Sequence, residues 1–234
     1  MIPNLDIQNP QSSIEQVINV SSTETKTPSS VTAISAADGP VAVTGASGYI
    51  GSWVVHDLME QGYRVRACVR DAGRPEKVDH LLALNDTDLR GQVELFTGDL
   101  FEPGSYDDAF NECSAVIHTG AAVGYNQETP QQVYDGCFTE VQHVIESVQK
   151  AGTVRRFVFT SSFAAVGHPR PRGYVFTEKD WCDDNIEGYR GKWTEENIPK
   201  DRDTAYAMAK SSAERMIYTT AEEDGTFAAL AILP

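Results

Sequence analysis

The 234-residue chain is poor in positive charge, in closely spaced cysteines and in long apolar runs. Lysine and arginine total 19 against 34 aspartates and glutamates, a formal charge of −15 at pH 7. The basic residues are scattered, which argues against nucleic acid or an anionic membrane as the main partner, because both are held by concentrated positive charge. Cys68, Cys113, Cys137 and Cys182 stand far apart with no CxxC pair, the pattern of reduced cytoplasmic thiols rather than of a disulfide framework. The five histidines form neither HxH nor HExxH, so no metal site is expected. No apolar run reaches the length needed to span a bilayer.

The first 39 residues lack arginine, sustained periodicity and the apolar stretch of a secretory signal. "NVSSTETKTPSSVTAISAADG" is rich in serine and threonine, and residues 1–39 read as a disordered tail ahead of a folded unit spanning 40–234. Asn19 and Asn85 begin N-x-S/T triplets, which are common by chance and matter only on a secretory route.

From residue 40 onward strands and helices alternate. "PVAVTG" is a short apolar run closed by glycine, as in a strand buried on both faces. Ile50, Val54, Leu58 and Met59 then recur at helical spacing until Gly62. "YRVRACVR", "QVELFTGDL", "SAVIHTGAA", "RRFVFTSS" and "FAALAIL" read as five further strands. Helices are expected at "PEKVDHLLAL", around "SYDDAF", over about 130–150 and over about 203–223. A polar excursion over 167–202 is too long for a simple connection and reads as a substrate-side loop. This alternation predicts an α/β fold: a Rossmann-type, doubly wound parallel sheet with helices on both faces.

"VTGASGYIGSWVV" places Gly45, Gly48 and Gly51 between the first strand and the first helix. A GxxGxxG run alone is a weak signal, but the strand before it and the helix after it supply the required context. Gly45 permits the tight turn, Gly48 lets a pyrophosphate approach the backbone, and Gly51 lets helix and strand pack closely. The helix N-terminus, over Ser47, Tyr49 and Ile50, offers N–H groups to the phosphates. No Gly-Lys-Ser/Thr follows, which excludes a Walker loop.

Cofactor choice turns on the end of the second strand. Arg70, with Arg66, Arg74 and Lys77 nearby, favours the 2′-phosphate of NADP, while Asp71 leaves NAD open as the lesser choice. Asp99 could accept from an adenine amino group with Leu100 packed on the ring, or simply serve a turn. Thr119, Gly120 and Ala121 follow the fourth strand, at the edge where ligands bind in such sheets.

Tyr206 and Lys210, in "YAMAK", share one helical face. A phenol titrating near 10 is a poor acid–base at neutral pH, and a neighbouring lysine would bring it toward working range. Thr160, Ser161 and Ser162 offer hydroxyls at the end of the fifth strand, where they could equally be turn residues.

These residues resemble the extended short-chain dehydrogenase/reductases. "VTGASGYIGSWVV", "GYRVRACVRD", "GSYDDAF", "VRRFVFTSS" and the "DW" of 180–181 are similar, more narrowly, to the dihydroflavonol reductase and cinnamoyl-CoA reductase group. The resemblance covers about 40–234. It implies NADPH-dependent carbonyl reduction with Ser162, Tyr206 and Lys210 as the catalytic set. It also implies 2′-phosphate contacts at Arg70 and Lys77, a small-molecule carbonyl substrate, and a homodimer in many members.

Three departures follow from the same comparison. Flavonoid reductases place an asparagine where this chain has Gly167, and the cinnamoyl-CoA reductase signature around the tyrosine is absent from "TAYAMAK". Family members continue past the sixth strand into a substrate lobe, so the cofactor half is expected intact and the substrate lobe largely missing. The leading expectation is a carbonyl reductase with Tyr206 as proton donor. The alternatives are a nucleotide-sugar epimerase/dehydratase or hydroxysteroid dehydrogenase-like enzyme, and a dinucleotide-binding module without turnover.

Overall fold

A computed structural model describes residues 33–121, 129–167, 171–182 and 201–234. Six parallel strands form one sheet in the order β3-β2-β1-β4-β5-β6. They are β1 (Val41–Thr44), β2 (Arg64–Val69), β3 (Gln92–Thr97), β4 (Ala115–His118), β5 (Arg156–Thr160) and β6 (Ala228–Ile232). The helices are α1 (Tyr49–Glu60), α2 (Pro75–Leu82), α3 (Asp107–Phe110), α4 (Pro130–Ala151) and α5 (Arg202–Asp224). Strand order reverses between β1 and β4, whose registers put Thr44 opposite His118. This is the Rossmann-type α/β fold expected from the alternation, and its switch point is where such sheets bind ligands.

β1 is wholly buried, so its four residues read as an unbroken apolar run ending in threonine. Side chains alternate faces along each strand, and two cores result. Val43, Val65, Ala67, Val69 and Val93 meet Val55 and Met59 of α1 and Val78 and Leu81 of α2 on one face. Ala42, Cys68, Val116, Phe157 and Phe159 meet α3, α4 and α5 on the other. Phe110, Phe157 and Phe159 are fully buried, each contributing roughly 1.5–3 kcal/mol of transfer free energy.

The two long helices carry their own start and stop signals. Thr129 and Gln132 make a capping box at α4, and Gly152 ends it at φ 64°. Asp201 caps α5 by accepting from Thr204 N–H at 2.8 Å, and Gly225 closes it at φ 69°. Residues 33–39, assigned to the tail from sequence, belong to the folded unit: Tyr63 donates to the Ile34 carbonyl at 2.7 Å, and Asp38 pairs with Arg155 at 2.7 Å. Residues 1–32 lie outside the described residues.

Only 171–182 of the expected excursion's interior is described. Asp180 organises it by accepting from Tyr174 Oη and from Thr177 N–H and Oγ1. Trp181 docks it on α5, with the Arg215 guanidinium 4.1 Å from its ring centroid. The Asn85 amide exchanges hydrogen bonds with Val93 N and O, so this triplet residue is an internal brace for β3. Among the described residues, no helix is long and apolar enough to cross a membrane.

Candidate functional site

The six strands end together at Thr44, Val69, Thr97, His118, Thr160 and Ile232. Gly45 leaves β1 at φ +64°, and a Cβ there would stand 2.6 Å from Gly120 Cα. A Cβ on Gly51 would stand 2.3 Å from the Gly45 carbonyl oxygen. Both positions therefore require glycine for packing of turn, helix and neighbouring loop. Gly48 is the N-cap of α1 and is exposed, and unlike α4 and α5 this helix has no side-chain cap. Its first N–H groups, with Tyr49 and Ile50 exposed beside them, remain open to an anionic ligand.

Thr44 ties the two sides of the switch point together. Its hydroxyl shares a 2.6 Å hydrogen bond with His118 Nδ1 and accepts from Gly120 N–H at 3.3 Å. Thr119 Oγ1 donates to the Thr44 carbonyl at 2.6 Å, which holds the 119–121 turn against the glycine loop and leaves Ala121 exposed. Ser47 is half-buried in that loop. Leu100 is buried at the same place, its Cδ1 within 3.4 Å of a Cβ built on Gly120, and so belongs to the core cluster.

The four cations near the second strand have different jobs. Arg66 donates to the carbonyls of Asp108, Ala109 and Asn111 and lies 5.1 Å over the Phe96 ring, so it closes the C-terminal end of α3. Arg74 pairs with Asp71 at 3.0 Å, and Asp71 also accepts from Gly73 N–H. Asp71 is thus consumed by its own turn. Arg70 extends into solvent, 71 % exposed, with Asp99 3.6 Å away; Lys77 is exposed in the first turn of α2. Asp99 also accepts from Phe101 N–H at 2.9 Å, which makes it a turn residue as well as Arg70's partner.

β5 and α5 bring the three expected catalytic residues together. Ser162 caps a short helical turn, accepting from Ala164 N–H at 3.2 Å, and its hydroxyl stands close enough to Tyr206 to favour the phenolate. Burial raises the Tyr206 pKa above the ordinary phenol value, with the nearby Ser162 hydroxyl opposing. Lys210 Nζ lies 4.8 Å from the Phe159 ring centroid and 5.8 Å from that of Tyr206. Tyr206 is therefore a protonated acid at neutral pH. The lowering expected from Lys210 is not what sets its pKa here.

Sequence reasoning missed His118, Glu140 and Glu214. His118 is fully buried and held neutral, its pKa pushed down to about 3 by burial and by the nearby Lys210 charge. Glu214 accepts from Ser161 Oγ and so anchors the turn that presents Ser162. Glu140 interrupts the apolar stripe of Val133, Cys137, Val141 and Val144 on the buried face of α4. That break in periodicity was visible in the sequence. Gly167, the position of the family asparagine, has a steric explanation: a Cβ would stand 2.5 Å from Phe163 Cε1.

A parallel sheet reversing between β1 and β4, with a glycine turn and an uncapped helix at the reversal, defines a dinucleotide-binding protein. Residues 41–234 match the NAD dependent epimerase/dehydratase family, and the chain belongs to that family. It is 40% identical over 186 residues to dihydroflavonol 4-reductase of Arabidopsis thaliana, covering 79% of this chain and 46% of the relative. It is likewise 40% identical over 151 residues to cinnamoyl-CoA reductase CAD2 of Medicago truncatula, covering 61% of this chain and 46% of the relative. Vestitone reductase from alfalfa superposes with a TM-score of 0.62 at 25% identity, over 83% of this chain and 56% of that structure. The chain spans about half the length of the curated relatives it matches.

Proposed function

We propose that the chain carries the cofactor and proton-donor site of an NADPH-dependent reductase that converts an aldehyde or ketone to an alcohol. The observation that carries the reading is the placement of Ser162 at the end of β5 beside Tyr206 and Lys210 of α5, in a family whose relatives above are reductases. The glycine turn, the open first turn of α1 and the exposed Arg70 fit a dinucleotide with a 2′-phosphate. Asp71, engaged by Gly73 and Arg74, offers little to free ribose hydroxyls, which favours NADP over NAD.

When bound, the reduced nicotinamide supplies a hydride to the carbonyl carbon. Tyr206 donates its phenolic proton to the carbonyl oxygen as negative charge develops there, and the Ser162 hydroxyl donates to the same oxygen. Hydride and proton together complete the two-electron reduction to an alcohol. The Lys210 cation stabilises the phenolate left behind.

The test is Tyr206→Phe. NADPH oxidation with a panel of aldehydes and ketones is expected to disappear while NADPH binding, followed by its fluorescence, persists; retained turnover would refute the proton-donor role. A second reading is a dinucleotide-binding module without turnover. Tight NADPH binding with no oxidation across a broad carbonyl panel selects it.

A further inference from the structure

One row of side chains crosses the sheet near its carboxyl edge, set by strand register: Phe96, Cys68, Thr44, His118, Phe159 and Ala231. Phe96, Cys68, Phe159 and Ala231 belong to or pack against one apolar cluster. Thr44 and His118 interrupt the row and are fully buried. Polar groups so placed must satisfy one another. The His118 ring stacks on Phe159 of the neighbouring strand, centroids 5.6 Å apart, and its Nδ1 lies 2.6 Å from Thr44 Oγ1.

Counting donors gives that bond its direction. Gly120 N–H can only donate, so Thr44 Oγ1 accepts from it at 3.3 Å. Among the described residues, the Thr44 hydroxyl proton has no acceptor other than His118 Nδ1. His118 is neutral, its pKa pushed down to about 3 by burial and by the Lys210 charge. Its ring proton therefore sits on one nitrogen alone, and Nε2 has no hydrogen-bond partner among the described residues. With the proton on Nε2, one buried donor goes unmatched. With the proton on Nδ1, both Nε2 and the Thr44 hydroxyl proton go unmatched. An unmatched buried polar group is costly, so the first arrangement wins. Gly120 N–H thus donates to Thr44 Oγ1, and Thr44 O–H donates to His118 Nδ1.

This chain of donors ends on the turn that packs against the glycine loop. A Cβ on Gly45 would stand 2.7 Å from Gly120 N, and one on Gly51 would stand 2.8 Å from Thr119 Oγ1. With so little clearance, the place of the 119–121 turn sets the place of the loop. We propose that His118 is a positioning residue of the dinucleotide site: by accepting the Thr44 hydroxyl proton on Nδ1, it aims the Thr44 oxygen at Gly120 N–H and fixes the turn against the glycine loop. The effect on binding rests on the dinucleotide reading; the chain of donors does not.

Proton–nitrogen correlation spectra of the 15N-labelled full chain report which imidazole nitrogen is protonated, the His118 signal being assigned by its loss in His118→Phe. Nε2 is expected to carry the proton and Nδ1 to be bare. The reverse pattern overturns the chain of donors. Hydrogen exchange of the Gly120 amide follows the turn itself. Thr44→Val should speed it by about tenfold or more, and Thr44→Ser should leave it near the parent rate. Equal rates in Thr44→Val and the parent overturn the link to the turn.

NADPH titrations followed by fluorescence give the consequence for binding. His118→Phe keeps a stacked ring and removes the acceptor, whereas His118→Asn keeps an acceptor near the Nδ1 position and loses the ring. His118→Phe is expected to weaken NADPH binding by about tenfold, the equivalent of one hydrogen bond, and His118→Asn to weaken it less. Melting temperature should fall further in His118→Asn, which leaves a cavity. Affinities that fall in step with melting temperature overturn the positioning role. A parent chain that does not bind NADPH counts against the dinucleotide reading alone, since ring protonation and amide exchange are read without cofactor.

Discussion

The guanidinium of Arg70, at the end of β2, lies 3.6 Å from the carboxylate of Asp99 beyond β3. The pair bridges the ends of β2 and β3 and holds an exposed cation there. As an ion pair between solvent-exposed groups it adds little stability. In the proposed reading, it keeps Arg70 where a 2′-phosphate would meet it. Arg70→Ala is therefore expected to cut the preference for NADPH over NADH by about tenfold or more, the equivalent of one charge-assisted hydrogen bond. Parallel fluorescence titrations with both dinucleotides measure this. Equal weakening of both would place the 2′-phosphate elsewhere.

Arg66 is the contrasting case. It donates to three carbonyls around the end of α3, at 3.4, 3.1 and 2.5 Å. Arg66→Ala should lower stability by roughly 1–3 kcal/mol through loss of these bonds and leave dinucleotide selectivity unchanged. Chemical denaturation and the same titrations separate the two effects. A shift in selectivity with unchanged stability would reverse the assignment.

Two glycines with nearly equal φ should respond differently to alanine. Gly45 and Gly152 both sit at +64°, but a Cβ on Gly45 meets Gly120 backbone at 2.6 Å whereas nothing lies within 4 Å at Gly152. Gly152→Ala should cost only the left-handed strain, about 1–2 kcal/mol. Gly45→Ala adds a backbone collision and should cost clearly more, together with dinucleotide binding. Melting temperatures for the pair decide it, and equal losses would mean the loop yields without penalty.

His118 sets a pH dependence whose sign can be worked out. Its pKa falls from 6.5 to about 3 on folding, so between those values the unfolded chain binds a proton that the folded chain does not. The contribution to stability is complete above pH 6.5 and is lost as pH falls toward 3. His118→Gln is expected to flatten the pH dependence of unfolding free energy across this window by close to one proton. An unchanged slope would mean that His118 is charged in the folded state.

The strand and helix alternation, the glycine turn and the YxxxK pair were legible in the sequence because each is a local pattern. Buried strands read as apolar runs, and residues four apart on a helix share a face whatever surrounds them. Helix ends at Gly152 and Gly225 are local too, since a left-handed residue closes a helix wherever it falls. The sequence also placed Ser162, Tyr206 and Lys210 in an order that the fold could bring together.

What each charge does was decided only in three dimensions. Arg66 and Arg70 stand four residues apart in one cationic stretch, yet the fold brings one to the carbonyls closing α3 and the other to solvent beside Asp99. Asp71 left NAD open in the sequence, and the fold engages it with Gly73 N–H and Arg74. Thr44 and His118 are distant in sequence and meet only where β1 pairs with β4. Sequence by itself determined the architecture and the family because these follow from short-range periodicity and spacing. Tertiary structure determined the electrostatics, because burial and charge pairing depend on neighbours that the chain brings together only by folding.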